Sequence, residues 1–375
     1  MHELLLLGAG KIGRAIAKLL TETGDYDVLV GDLHEPSLER LAGSAKVRTV
    51  RVDVSDPASL RLVMSGRRTV VSACNYAVNA GIARAAADAG LSYFDLTEDV
   101  ETSHVVRAIA GTAREGQVFM PQCGLAPGFV SIAAFDLAKR FERLDEVRMR
   151  VGALPLFPTN ELKYNLTWST DGLINEYGNP CEAVHEGKLR EVLPLEGLEH
   201  FSIDGVDYEA FNTSGGVGTL AETLAGQART LNYKTIRYRG HRALVAFLMN
   251  ELRMNSRREL LKEILESAVP ITPQDVVLVF CTVSGWKDGN LTQITDARKV
   301  YNADVFGERW SAIQITTASG LCAVLDLHVA GKLPARGFVR QEEVPLADFL
   351  ANRFGRAYAS SGEMAPGMTT PVPAG

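Results

Sequence analysis

Residues Leu4–Asp32 read LLLLGAGKIGRAIAKLLTETGDYDVLVGD: an apolar strand, a three-glycine turn, a helix, and a second strand ending on a carboxylate. Gly8, Gly10 and Gly13 stand in the spacing G-x-G-x-x-G. Gly8 permits the tight turn, Gly10 lets the backbone approach a pyrophosphate, and Gly13 brings helix and strand close. Lys11 and Ile12 open the helix, and Ile12, Ile16, Leu19 and Leu20 share one of its faces. Its N-terminus, with free N–H groups and the positive dipole end, then points at a phosphate. Asp32 closes the second strand, where a carboxylate accepts hydrogen bonds from an adenosine ribose and repels a 2′-phosphate. NAD is favoured over NADP. Glycines also mark ordinary turns, so FAD binding and an inactive nucleotide fold stand as the alternatives.

The bulk composition sets limits around this motif. A chain of 375 residues, 46% hydrophobic and 22% charged, can bury a large core and form two domains. A net charge of −6 with short basic stretches argues against a nucleic-acid partner. No apolar stretch approaches the ~20 residues that span a bilayer, and the start lacks a basic n-region, so no membrane association is expected. Cys74, Cys123, Cys181, Cys281 and Cys322 are odd in number and show no C-x-x-C. They read as reduced thiols in a cytoplasmic protein without structural zinc or another metal.

Strand and helix patterns alternate through the first 120 or so residues. After Asp32 come strands at Val47–Val52 and Thr69–Ala73, a helix at Val78–Ala89, a strand at Ser92–Leu96, a helix at Val100–Ala113 and a strand at Val118–Pro121. This predicts an α/β protein with a Rossmann-type, doubly wound parallel sheet. Ligands of such sheets sit beyond the carboxyl ends of the strands. That rule selects Asp53 and Val54 for the adenine, Ala73, Cys74 and Asn75 near the ribose and nicotinamide, then Asp95–Asp99 and Cys123–Gly128. Asp53 reads equally as a helix cap or turn acid, and Asp99 as the cap of the helix after it.

From Phe129 the pattern turns to longer β-rich segments, at Glu146–Ala153, Tyr164–Thr170, Val276–Trp286 and Trp310–Thr316, which indicate a second α+β, substrate-binding domain. A helical segment, Ser319–Gly331, with Leu321, Leu325 and Val329 at helical spacing, is expected to return to the nucleotide domain. The expected organisation is 1–124 plus 319–358 for the nucleotide domain, 125–318 for the substrate domain, and a disordered tail at 359–375, rich in Pro, Gly, Ser and Thr.

The GAGKIG turn, the segment PQCGLAPGF from Pro121 to Phe129, and TSGGVGTLAETLAGQARTLNYKTIRYRGH from Thr213 to His241 together resemble the saccharopine dehydrogenase and lysine 6-dehydrogenase superfamily, with the bacterial lysine 6-dehydrogenase branch nearest. The resemblance implies oxidation or formation of a C–N bond at an amine carbon, with a nicotinamide cofactor held across a cleft between two domains. In the lysine branch it implies oxidative deamination of the ε-amino group of L-lysine to 2-aminoadipate 6-semialdehyde, which cyclises to a piperideine carboxylate. Ammonia and NADH are released. It also implies a homodimer, and the arginine of its YRG motif, here Arg239, as a substrate contact.

Such chemistry needs an anchor for a carboxylate, one for an α-ammonium, a base, and a dry surface beside the nicotinamide. Arg237 and Arg239 alternate in KTIRYRGH, so in a strand they share a face with His241 while Lys234 takes the other; a guanidinium grips a carboxylate in bidentate fashion. Glu161, Asp171 and Glu176 are candidates for the α-ammonium. An ε-ammonium ordinarily titrates near ~10.4, so a base must take its proton before hydride can leave. Asp95 ranks first and His241 second. Cys123 could adjoin the nicotinamide, although a small buried thiol is its plainer role. Tyr164 and Trp168 share a face if they lie in a strand and could exclude water there, with core packing as the alternative.

Two other functions fit the same residues. A saccharopine-type or carboxynorspermidine-type dehydrogenase would need a further basic anchor for a second carboxylate arm, with Lys163 and Arg150 as candidates. A non-enzymatic NAD-sensing protein would keep the glycine turn and lack a working base.

Overall fold

The computed structural model describes residues 1–42, 46–359 and 368–369. The chain divides into two compact units, Met1–Phe129 with Thr316–Ala357, and Val130–Ile315 with the segment from Tyr358.

In the first unit, strands β1 (His2–Leu7), β2 (Tyr26–Asp32), β3 (Arg48–Arg51), β4 (Thr69–Ser72), β5 (Ser92–Asp95) and β6 (Val118–Met120) alternate with helices α1 (Lys11–Glu22), α2 (Glu35–Ala42), α3 (Pro57–Met64), α4 (Tyr76–Ala89) and α5 (Val100–Ala110). The strands form one parallel sheet in the order β6-β5-β4-β1-β2-β3, with the short strand Gly337–Phe338 added beside β6. The order reverses between β1 and β4, the switch point where such sheets bind ligands. Local chemistry places the helix starts. Asp56 caps α3 through the N–H groups of Ala58 and Ser59, Asn75 caps α4 through Ala77, and Asp99 caps α5 through Thr102, as expected of Asp99 from the sequence. Leu5, Leu7, Val70, Ile82, Tyr93 and Phe119 lie in the core beneath them.

The second unit is built on a mixed sheet. Its elements are α6 (Phe129–Ala138), β7 (Arg143–Pro155), α7 (Thr170–Gly178), β8 (Cys181–His185), β9 (Lys188–Val192), β10 (Glu199–Ile203), β11 (Val206–Asn212), α8 (Leu220–Leu224), β12 (Thr230–Tyr238), α9 (His241–Ala246), α10 (Arg258–Ala268), β13 (Asp275–Lys287) and β14 (Asn290–Tyr301). The order is β10-β11-β12-β7-β13-β14, with β8 and β9 branching from β12. Only β12 and β7 run parallel; their neighbours are antiparallel.

Two expected segments differ. Tyr164–Thr170 is not a strand: it makes a single bridge, Leu166 with Ile271, before α7 starts at Thr170. Trp310–Thr316 reads as β from its β-branched residues, yet a helix, α11 (Ala312–Val329), begins inside it. A cap overrides the propensity: Ser311 and Gln314 exchange side-chain-to-backbone bonds, and Asp275 accepts from Ala312 and Ile313. This helix is long and apolar enough by composition to cross a membrane, but 72% of it is buried inside the protein, as for a core helix. Leu321 and Leu325 are buried as expected, whereas Val329 is exposed. Within the tail, Met368 and Thr369 pair with Val305 and Asp304; 360–367 and 370–375 lie outside the described residues.

Candidate active site

The glycine loop leaves β1 with Gly8 at φ +99°, and a β-carbon there would stand 2.7 Å from the Ala73 carbonyl oxygen. A β-carbon at Gly13 would stand 1.8 Å from the Gly8 carbonyl oxygen, so α1 can only approach the strand this closely without one. At Gly10, the residue before Lys11 and Ile12, a β-carbon would meet nothing within 4 Å. Backbone N–H groups therefore open onto clear space at the N-terminus of a 12-residue helix, which suits a pyrophosphate. The Asp32 carboxylate accepts from the N–H of Ala9 at 2.6 Å and of His34 at 2.8 Å, and so stands fixed beside the loop. These residues fit a pyridine dinucleotide.

The other loop residues divide. Ala73 backs the glycine turn, and Asn75 uses its side chain as a helix cap. Asp53 is a turn acid: its carboxylate accepts from the N–H and hydroxyl of Ser55, and Val54 packs against the core. That local use competes with the adenine contact expected of Asp53.

Asp95 ends β5 and is completely buried. Its Oδ1 accepts from the N–H of Thr97 at 2.9 Å and of Gln122 at 3.0 Å; its Oδ2 accepts from the Tyr93 hydroxyl at 2.7 Å. Burial pushes its pKa up to about 6, against the lowering effect of these donors. Such a carboxyl can hold or release a proton near neutrality. Cys123, at the end of β6, receives a bond from Gln341 at 3.3 Å and donates to the Met120 carbonyl at 3.0 Å. Burial, then the nearby Asp95 carboxylate, raises its thiol pKa well above the ordinary range, so it is a protonated, enclosed side chain.

The second unit does not keep Arg237, Arg239 and His241 on one face. The strand ends at Tyr238, Gly240 turns with φ +99°, and His241 begins α9. Arg237 is buried: its guanidinium lies over the rings of Tyr164 and Tyr177, its Nε donates to the Tyr177 hydroxyl at 2.9 Å, and Glu176 stands 3.8 Å away. Arg239 is half exposed and faces Asp207 at 3.4 Å. Lys234 takes the opposite face, as expected, and pairs with Glu199.

His241 occupies the end of this buried relay. Its Nδ1 donates to the Leu162 carbonyl at 2.7 Å, and its Nε2 accepts from Tyr177 at 2.9 Å. Burial, and then the Arg237 charge, lower its pKa to about 3. Held neutral, it has both ring nitrogens engaged, Nε2 by the Tyr177 hydroxyl and Nδ1 by the Leu162 carbonyl.

Tyr164 and Trp168 are neighbours although not in a strand, with the indole donating to the Tyr164 hydroxyl at 3.3 Å. Tyr164 belongs to an apolar cluster with Leu166, Leu173, Tyr177 and Met249. A cavity of about 20 Å³ beside it, lined by Leu162, Tyr177, His241 and Leu261 among others, has room for about one water. Of the α-ammonium candidates, Asp171 pairs with Lys262 at 2.8 Å, Glu176 faces Arg237, and Glu161 is exposed. Sequence reasoning missed Tyr93, Asn79, Gln122, Tyr177 and Gln341. Only Tyr93 carried a signal, since residues two apart on a strand share a face and Tyr93 precedes Asp95 by two.

Two family models match the chain: the saccharopine dehydrogenase NADP binding domain over residues 4–120 and the saccharopine dehydrogenase C-terminal domain over residues 124–355. Saccharopine dehydrogenase (NADP(+), L-glutamate-forming) of Saccharomyces cerevisiae is 23% identical over 319 residues, 76% of this chain and 68% of the yeast protein. Its Schizosaccharomyces pombe counterpart is 21% identical over 284 residues, 73% of this chain and 62% of the other. The mitochondrial alpha-aminoadipic semialdehyde synthase of Rattus norvegicus is 21% identical over 268 residues, 66% of this chain but 28% of that protein. The chain thus spans under two thirds of the last two. The solved apo saccharopine dehydrogenase (L-Glu forming) of S. cerevisiae superposes with a TM-score of 0.75 at 17% identity, covering 92% of this chain and 94% of that one, which shows a shared fold.

Proposed function

The chain belongs to the saccharopine dehydrogenase family, and from that premise we propose that it is an amino-acid dehydrogenase acting on a lysine-derived substrate with a pyridine nucleotide. Its specific reaction is then the NAD-dependent oxidative deamination of the ε-amino group of L-lysine to 2-aminoadipate 6-semialdehyde, with release of ammonia and NADH. The observation that carries this reading is the pairing of a dinucleotide loop after β1 with a buried carboxyl, Asp95, tuned to about 6 at the end of β5, two strands away in the same sheet.

The bound nicotinamide supplies the hydride acceptor. The chain's own residues do the rest. Asp95 takes the proton from the ε-ammonium so that the carbon bears a neutral amine. Arg239 grips the substrate carboxylate, and Asp32 orients the ribose and repels a 2′-phosphate. Lysine is favoured over a substrate with a second carboxylate arm because Arg150, one of the two candidates for that arm, is committed to a buried pair. Arg150 is buried in a bidentate pair with Glu199, and the Lys163 ammonium bonds the Arg239 carbonyl. A saccharopine-type reaction is the second reading, favoured by the named activities of the yeast relatives. A cytoplasmic homodimer with free thiols completes the proposal.

The test is a purified protein offered NAD or NADP with L-lysine, saccharopine, ornithine and carboxynorspermidine. NADH and ammonia are expected together with L-lysine, at a rate that climbs from neutral toward alkaline pH as the amine loses its proton. NADH without ammonia would instead mark a secondary amine, and no turnover with any amine would leave a nucleotide sensor. For cofactor choice, Asp32→Ala with Leu33→Arg should shift the NAD:NADP ratio of kcat/KM toward NADP by on the order of tenfold or more. An unchanged ratio removes Asp32 from the ribose.

A further inference from the structure

The Tyr93 hydroxyl has two acceptors: Asp95 Oδ2 at 2.7 Å and the Asn79 carbonyl, on α4, at 3.4 Å. A phenol has one proton to donate, and it goes to the nearer, ionised carboxylate. When Asp95 becomes protonated, the roles reverse. The new Oδ2–H donates to the Tyr93 oxygen, and the phenol proton turns to the Asn79 carbonyl. Both protonation states of a fully buried carboxyl are thereby hydrogen-bonded, which matters because a buried polar group left unsatisfied bears its full desolvation penalty. Asn79 is itself pinned: its Oδ1 accepts from the Ser72 hydroxyl at 2.7 Å, and Ser72 Oγ lies 3.4 Å from the Cys74 N–H on the loop after β4.

We propose that Tyr93 is a positioning residue for Asp95, a two-position hydroxyl that lets this carboxyl gain and lose a proton without leaving a buried group unpaired. The inference rests on the reading of Asp95 as the base. The proton balance is simple: an N–H bond of the substrate ammonium breaks, an O–H bond forms on Asp95, and the phenol keeps its own proton while changing acceptor. The titratable groups facing Asp95 are Tyr93 on its own strand and Cys123 after β6, and Cys74 after β4 faces Tyr93. Burial raises all three, so they stay protonated through the neutral range and leave the event to Asp95.

Tyr93→Phe keeps the ring that stacks on Phe119 and removes only the hydroxyl. Carboxyl ¹³C NMR of the protein without cofactor follows Asp95 directly, with Asp95→Asn assigning the resonance. In Tyr93→Phe the Asp95 titration should move up by about one pH unit or more, since the donor that favours the anion is gone. The acid limb of the kcat/KM profile should move by the same amount. A titration that does not move, or one that moves while the acid limb stays, overturns the proposal. Asp95→Asn tests the underlying reading separately: an acid limb that persists in that variant removes Asp95 as the base, whatever Tyr93→Phe does to the NMR titration.

Discussion

Replacing Gly13 by Ala is expected to lose nucleotide binding and thermal stability together, whereas replacing Gly10 by Ala loses binding alone. The two glycines sit three residues apart in one loop but face different obstacles. An added methyl at Gly13 would stand 1.8 Å from the Gly8 carbonyl oxygen, and backbone cannot swing aside as a side chain does. Strand and helix must separate, at about 1–3 kcal/mol or more. At Gly10 the methyl enters open space, so the free protein is unaffected, but that space is where a pyrophosphate would lie. Calorimetric titration with NAD should show affinity falling on the order of a hundredfold in both variants, with a lowered Tm only in Gly13→Ala. Wild-type affinity in Gly10→Ala would mean that the phosphates lie elsewhere.

The second large effect separates two arginines that the sequence treats alike. Arg237→Leu should destabilise the second unit by about 3–5 kcal/mol, a fall of about 10 °C in Tm, because it breaks the buried pair with Glu176 and leaves Tyr177 without its donor. Arg239→Lys should leave Tm within experimental error, since its partner Asp207 is exposed and surface pairs contribute little. Its effect falls on KM for the amino acid, through loss of the planar fork. Unchanged KM in Arg239→Lys would take the substrate carboxylate away from it, and a wild-type Tm in Arg237→Leu would contradict the buried relay.

The start of α11 shows where sequence patterns mislead. The β-branched residues Ile313, Ile315 and Thr316 signalled a strand, but Ser311, Gln314 and the distant Asp275 together start a helix there. Half of that cap, the Ser311–Gln314 spacing, was present in the sequence. Asp275, 37 positions away, was not recognisable as part of it.

What the sequence determined by itself was the outline of the nucleotide-binding half: the glycine spacing, the apolar strand runs and the Asp99 cap follow local periodicity and turn chemistry, while the bond from the Ala9 N–H to Asp32, 23 positions away, needed the fold. The tertiary structure alone decided the fate of the ionisable groups. Arg237 and Arg239 differ by burial, His241 is held neutral by burial and then by the Arg237 charge while it bonds a tyrosine 64 positions away, and Asp95 is satisfied partly by Gln122 from the next strand end. Charge states depend on desolvation and on partners brought together across long stretches of chain. Neither is encoded in local pattern, which is why the cofactor loop could be read in advance and the proton chemistry could not.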